Sequence, residues 1–145
     1  MKEKLLISAC LTGENCKYNG GNNYIAAVEH LKDRYELIMV CPEQDGGLST
    51  PRESSERLGD RVVSKSGNDV TEQFARGARH ALDTALHHGC KYALLKERSP
   101  SCGCGAIYDG SFTGTVIAGD GVTAELLKAH GITVYGESGI QELLR

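Results

Sequence analysis

Six cysteines carry the most distinctive chemistry in this chain: Cys10, Cys16, Cys41, Cys90, Cys102 and Cys104. Thiolate sulfur is both a nucleophile and a soft ligand suited to iron–sulfur clusters and zinc. Spacing removes several uses. No C-x-x-C pair occurs, which excludes thioredoxin-like exchange and most zinc ribbons. No Cys is followed six residues later by Arg, so the phosphate loop of tyrosine phosphatases is absent. The zinc-deaminase signature and the G-x-x-x-x-G-K-[ST] loop are missing too. Two settings remain informative. Cys41-Pro42-Glu43-Gln44-Asp45-Gly46-Gly47 places carboxylates within a turn of a thiol. Ser99-Pro100-Ser101-Cys102-Gly103-Cys104-Gly105 surrounds sulfur with small residues, whose backbone N–H groups can hydrogen-bond sulfide or thiolate. Lys96 and Arg98 add positive charge, which lowers a thiol pKa.

Elements must bring these thiols together. Residues 5–8, 36–40, 92–95 and 132–135 are short apolar runs that read as strands covered on both faces. Helical spacing fills 22–34, 69–88 and 122–130, with a last turn at 140–145. In the longest of these, Val70, Phe74, Ala78, Leu82, Ala85 and Leu86 form one stripe, Asp69 and Glu72 signal the start, and Gly89 the stop. The alternation predicts an α/β fold: one Rossmann-like domain over residues 1–145, with a mainly parallel four-stranded sheet flanked by helices. Val62-Val63 is expected to add a small strand, and 103–121 a short hairpin around Phe112 and Val116. Cys10, Cys41 and Cys102 all follow predicted strands, so their loops emerge at the carboxyl edge of the sheet. There, open α/β sheets bind ligands. Three thiols far apart in sequence are thus expected in one crevice.

The other candidates read less sharply. Cys90 precedes its strand, at the opposite edge, and is expected to pack in the core. Cys16 could approach the site but is expected to be a bystander, while Cys104 forms C-x-C with Cys102, close enough to serve as a fourth or alternative ligand. His80, His87 and Asp83 share one helix face, which reads as solvated surface, and Glu56 with Asp60 reads as a charged loop. Gly119-Asp120-Gly121-Val122-Thr123-Ala124 fits G-x-G-x-x-[GA] but follows none of the four strands, which argues against a dinucleotide site.

With 16 Lys+Arg against 19 Asp+Glu, the net charge of −3 argues against a broad phosphate-tracking surface, and a nucleic-acid partner is not expected. No apolar run approaches the roughly 20 residues of a membrane span. The run Leu5-Leu6-Ile7 after Met1-Lys2-Glu3-Lys4 is too short for a signal peptide, and a cytoplasmic location is expected. A reducing compartment turns the cysteines toward metal or thiol chemistry rather than disulfides.

The sequence resembles a family of small bacterial proteins that includes 2-thiouracil desulfurase. The likeness rests on Ser8-Ala9-Cys10-Leu11-Thr12-Gly13, Tyr18-Asn19-Gly20-Gly21-Asn22, Val40-Cys41-Pro42-Glu43 and Gly46-Gly47-Leu48-Ser49-Thr50-Pro51-Arg52. It continues through Lys96-Glu97-Arg98-Ser99-Pro100-Ser101-Cys102-Gly103, Ile107-Tyr108-Asp109-Gly110 and Gly119-Asp120-Gly121-Val122-Thr123. The resemblance implies a [4Fe–4S] cluster held by Cys10, Cys41 and Cys102 only, with one iron free of protein ligands. It also implies non-redox removal of thiocarbonyl sulfur from a small thiolated pyrimidine, with oxygen from water replacing it. Glu43 then takes an acid/base role, and Ser101 or Ser99 a serine role. Iron–sulfur assembly machinery is a candidate partner. Two competing readings share these thiols: a non-enzymatic iron–sulfur or sulfur carrier, and a zinc-stabilised domain using three cysteines and one histidine, with His30 nearest in sequence.

Overall fold

The computed structural model describes residues 2–145, so Met1 of the amino-terminal segment lies outside it. The sheet strands are β1 (Glu3–Ser8), β2 (Tyr35–Val40), β5 (Tyr92–Leu95) and β8 (Thr133–Gly136). They pair in the order β2-β1-β5-β8, every pair parallel. The chain moves from β1 outward to β2 and then to β5 on β1's other side, so strand order reverses between β1 and β5. This reversal opens a crevice at the carboxyl edge.

Period-two alternation in β1 sends its side chains into two cores. Leu5 and Ile7 pack with Leu11, Val28, Leu31, Leu94, Ile140 and Leu143, beneath α1 (Val28–Leu31) and α5 (Ile140–Leu144). Leu6 packs on the other face with Ala81, Leu82, Ala85, Ala93, Leu95 and Leu127, under α3 (Thr71–His88) and α4 (Val122–Ala129). Each fully buried leucine contributes about 1.5–3 kcal/mol relative to exposure. Both faces are therefore covered, as the continuous apolar runs require.

Two helices differ from expectation for local reasons. The segment 22–34 is helical only at Val28–Leu31. Upstream, the Asn22 side chain accepts the Tyr24 N–H (3.0 Å), and the Asn23 and Ile25 N–H groups donate to the carbonyls of Cys10 and Leu11. An Asn side chain that offers the backbone this partner competes with the helix. Helix α3 begins at Thr71 rather than 69, because the Asp69 carboxylate accepts the Thr71 N–H (2.9 Å) from outside the helix. Glu72 pairs with Arg76 (3.4 Å), and Leu86 is exposed, off the buried stripe. Gly89 ends the helix at φ +68°, in the left-handed region that glycine favours.

Two small hairpins stand beside the sheet. One pairs β3 (Ser55–Leu58) with β4 (Arg61–Ser64), the other β6 (Ala106–Tyr108) with β7 (Val116–Ala118). Glu56, expected on a charged loop, is buried and joins them by accepting the N–H groups of Gly110 (3.0 Å) and Phe112 (3.1 Å). A buried carboxylate needs such donors, and these two amides supply them. Among the described residues no helix is long and apolar enough to cross a membrane.

Candidate functional site

The carboxyl ends of β1, β2 and β5 open onto a cavity of about 530 Å³. Cys10, Cys16, Cys41 and Cys102 line it, with Glu43, Arg52, Lys96 and Ser99. Cys10, Cys41 and Cys102 meet there as the strand order predicts. All six cysteines are free thiols.

Each loop is held by a different contact. Cys10 lies in a 3₁₀ turn, Ala9–Thr12, and its carbonyl accepts the Asn23 N–H (2.9 Å). Cys41 precedes the four-residue helix α2 (Pro42–Asp45), which opens on a proline and carries Glu43. That helix crosses α3 at glycines: a Cβ at Gly77 would lie 1.8 Å from the Pro42 carbonyl oxygen, and one at Gly46 would lie 1.9 Å from that of Gln73. Backbone contact of this kind admits no side chain, so it sets Cys41 and Glu43 against a long rigid helix. The Cys102 loop is held by α4. The Val122 N–H donates to the Pro100 carbonyl (2.9 Å), and those of Thr123 and Ala124 donate to the Ser101 carbonyl (2.8 and 3.2 Å). These are the orphan amides of a helix start, and the loop occupies them. The G-x-G-x-x-[GA] segment therefore anchors Cys102.

The thiols differ in electrostatics. Cys10 is lowered to about 7 by a hydrogen bond from the Cys16 thiol, helped by the Asn23 side chain and the Lys96 charge. Cys41 is also lowered, again chiefly by Cys16, with the Gln44 backbone N–H and Arg52 assisting. Burial pushes Cys102 up to about 12, opposed by a hydrogen bond from Ser8. Metal coordination deprotonates such a thiol outright.

Glu43 is largely buried, which raises its pKa, while Arg52 opposes the rise through an ion pair at 3.1 Å. The Arg52 guanidinium also donates to the carbonyls of Cys16 (2.9 Å) and Ser49 (3.2 Å) and to the Thr50 hydroxyl (2.8 Å). It thus fixes the carboxylate and the Cys16 loop together. Nothing in the spacing of Arg52 announces this role, because the loop folds back 36 residues to reach Cys16.

The two serines part company. Ser99 lines the cavity, and its hydroxyl oxygen accepts the N–H groups of Ser101 (3.1 Å) and Cys102 (3.0 Å). Ser101 is fully buried, lies outside the cavity lining, and shares a 2.6 Å hydroxyl–hydroxyl bond with Thr123. Cys104, the expected alternative ligand, also lies outside the cavity. Its sulfur sits 3.5 Å from the Val134 carbonyl oxygen and contacts Lys128, because the chain has already turned toward β6. Cys16, expected to be a bystander, is instead buried in the site. Cys90 is buried in the α3/α4 core. Lys96 pairs with Glu137 (3.3 Å), whereas Arg98 is exposed at the cavity rim. His80 lies 3.7 Å from Asp45, and His30 is exposed, away from the cavity. Among the described residues no three His, Cys, Asp or Glu groups converge on a point suited to a single metal ion.

Thiols from three strand ends of an α/β sheet, gathered around one cavity, are a donor set suited to soft metals or sulfur. The chain belongs to the 2-thiouracil desulfurase family, whose profile matches residues 5–139. It is 41% identical over 150 residues to the uncharacterized protein YbbK of Bacillus subtilis (strain 168), covering 97% of this chain and 99% of that one. Among solved structures it is similar to a [4Fe-4S]-dependent thiouracil desulfidase, TudS, with TM-score 0.93 and 47% identity, covering 98% of this chain and 95% of that one.

Proposed function

We propose that this chain is a single-domain, cytoplasmic [4Fe–4S]-dependent desulfurase. It converts a thiolated pyrimidine of the 2-thiouracil kind into its oxo form, releasing sulfide. The observation that carries this reading is the convergence of Cys10, Cys41 and Cys102 with the buried Glu43–Arg52 pair in one cavity. The donor set fits the cluster: Cys10, Cys41 and Cys102 come from three separate loops to line one cavity, and thiolate sulfur is the ligand that iron–sulfur centres take. Cys10, Cys41 and Cys102 would hold it. When bound, the cluster supplies a Lewis-acidic iron with an open position for soft thiocarbonyl sulfur.

The protein's own groups supply the proton chemistry. The net change is C=S plus water to C=O plus hydrogen sulfide, with no electrons gained or lost. Glu43 takes the proton from the attacking water. Burial makes its carboxylate a stronger base than an exposed one, and Arg52 keeps it aimed. The Ser99 oxygen already accepts two backbone N–H bonds, which leaves its O–H to donate toward bound substrate. A sulfur or cluster carrier would have no use for a base buried beside the thiols, which favours the enzyme.

Anaerobically reconstituted protein is expected to bind about four irons. It should also release sulfide from 2-thiouracil. Full activity in Cys41→Ala would overturn the reading, as would reconstituted, iron-loaded protein that releases none.

A further inference from the structure

The mechanism leaves a second carboxylate of the cavity unused. Ser54, Ser55 and Glu56, where the chain enters β3, line the cavity together with Tyr108 of β6. Glu56 is only 9% exposed, and its two oxygens differ. Oε1 accepts the N–H groups of Gly110 (3.0 Å) and Phe112 (3.1 Å). The loop delivers them by turning through φ +96° at Gly110 and φ +58° at Phe112. Oε2 has no hydrogen-bond partner among the described residues. Among the same residues no fully buried polar side-chain atom lacks a partner, so Oε2 lies open, and the space that Glu56 borders is the cavity. The strand is also bolted to the element that holds Cys102. The Arg57 guanidinium donates to the Asp120 carbonyl (2.8 Å) and to both carboxylate oxygens of Glu125 (3.2 Å each), at the start of α4. That same helix start binds the Pro100 and Ser101 carbonyls, so Glu56 and Cys102 share one anchor.

We infer that Glu56 is a specificity-determining residue for the thiolated pyrimidine proposed above, its Oε2 accepting one of the ring N–H groups; the assignment rests on that reading. In 2-thiouracil the thiocarbonyl carbon lies between two ring N–H groups, so the substrate presents a donor directly beside the bond that breaks. An ionised carboxylate is acceptor-only and keeps lone pairs to spare after one oxygen has taken two bonds. The hairpin amides hold one oxygen, which fixes the direction in which the other points. A buried acceptor held in this way favours a ring that brings a donor and rejects a ring that leaves it unpaired. Two carboxylates of the cavity thus divide the work. Glu43, paired with Arg52, handles the water proton, and Glu56 reads the ring.

The test compares anaerobically reconstituted wild type and Glu56→Gln on 2-thiouracil and on its N1-methyl and N3-methyl derivatives, with KM and kcat as separate readouts. In Glu56→Gln the Gly110 and Phe112 amides still hold an oxygen, so the variant's NH2 group meets the ring N–H donor to donor. Its denaturant melt should match wild type. Its KM for 2-thiouracil should rise about 10- to 100-fold, the range for losing a hydrogen bond to a charged group, with kcat changed far less. In wild type, one of the two methylated rings should show a loss of similar size, and Glu56→Gln should lose no more on that ring. An unchanged KM in folded Glu56→Gln would overturn the inference. So would equal KM values for all three rings in wild type, a result that needs no variant to fold. Wild type that loads iron yet releases no sulfide from 2-thiouracil would instead sink the reading on which the inference rests.

Discussion

The β2–α2 corner and the loop after β5 each deliver one thiol, but they are built oppositely. Cys41 stands at the start of a short helix pressed by backbone contact against α3, among Cys16, Arg52 and Glu43. Cys102 sits in a loop held by the amides of α4, and burial dominates its surroundings. The first corner supplies a buried carboxylate with its guanidinium partner, the second a deeply buried thiol beside the Ser99 hydroxyl and the Lys96 charge. A soft metal site is tuned by both, through hydrogen-bond donors around the sulfurs and through restricted access of water.

Removing either thiol makes the largest break. Cys41→Ala and Cys102→Ala should both abolish sulfide release. Iron analysis should still separate them, since Cys16 lines the cavity with Cys41 and can retain part of the iron, whereas Cys104, the thiol nearest Cys102 in sequence, lies outside the cavity lining. Equal iron in the two variants would erase the asymmetry.

Next, Glu43→Gln should load iron like wild type yet lose about 10²- to 10⁴-fold in kcat, the range for removing a general base. Single-turnover sulfide release checks it, and a wild-type rate would move the proton chemistry elsewhere.

The serines sharpen the contrast on the other side. Ser99→Ala should lower kcat by about 10²-fold if its hydroxyl stabilises the transition state. Ser101→Ala should leave kcat near wild type and cost about 1–3 kcal/mol of stability, because it orphans the Thr123 hydroxyl. Denaturant melts beside steady-state kinetics would show whether the two effects trade places.

The last contrast is architectural. Gly77→Ala places a Cβ against the Pro42 carbonyl and should cost about 1–3 kcal/mol in stability, with kcat reduced as Glu43 shifts. Gly121→Ala would press on the Ser101–Cys102 backbone, 2.5 Å from its Cβ, and should impair iron loading more than proton transfer. If the two variants behaved alike, the corners would not be independent.

Much of this was legible in the residues. Four apolar runs became the four parallel strands, and the position of each thiol relative to its run placed Cys10, Cys41 and Cys102 at one edge. Apolar periodicity reports which faces are buried, and strand direction orders the loops. The shortfall lies in the loops. Cys16 looked idle because its partners are non-local, Cys104 looked competent because only two positions separate it from Cys102, and Glu56 looked like surface charge because its amide partners come from a distant hairpin. The helix expected at 22–34 failed where Asn22 gave the backbone a better local partner.

By itself the sequence determined the α/β order, the family and the three motif thiols, because these depend on local pattern and chain direction. Only the tertiary structure decided which serine meets the cavity, that Arg52 ties Glu43 to the Cys16 loop, and that Cys16 rather than Cys104 is the fourth thiol of the site. Those outcomes depend on where long loops return, and side-chain chemistry acts over a few ångströms that no sequence separation encodes.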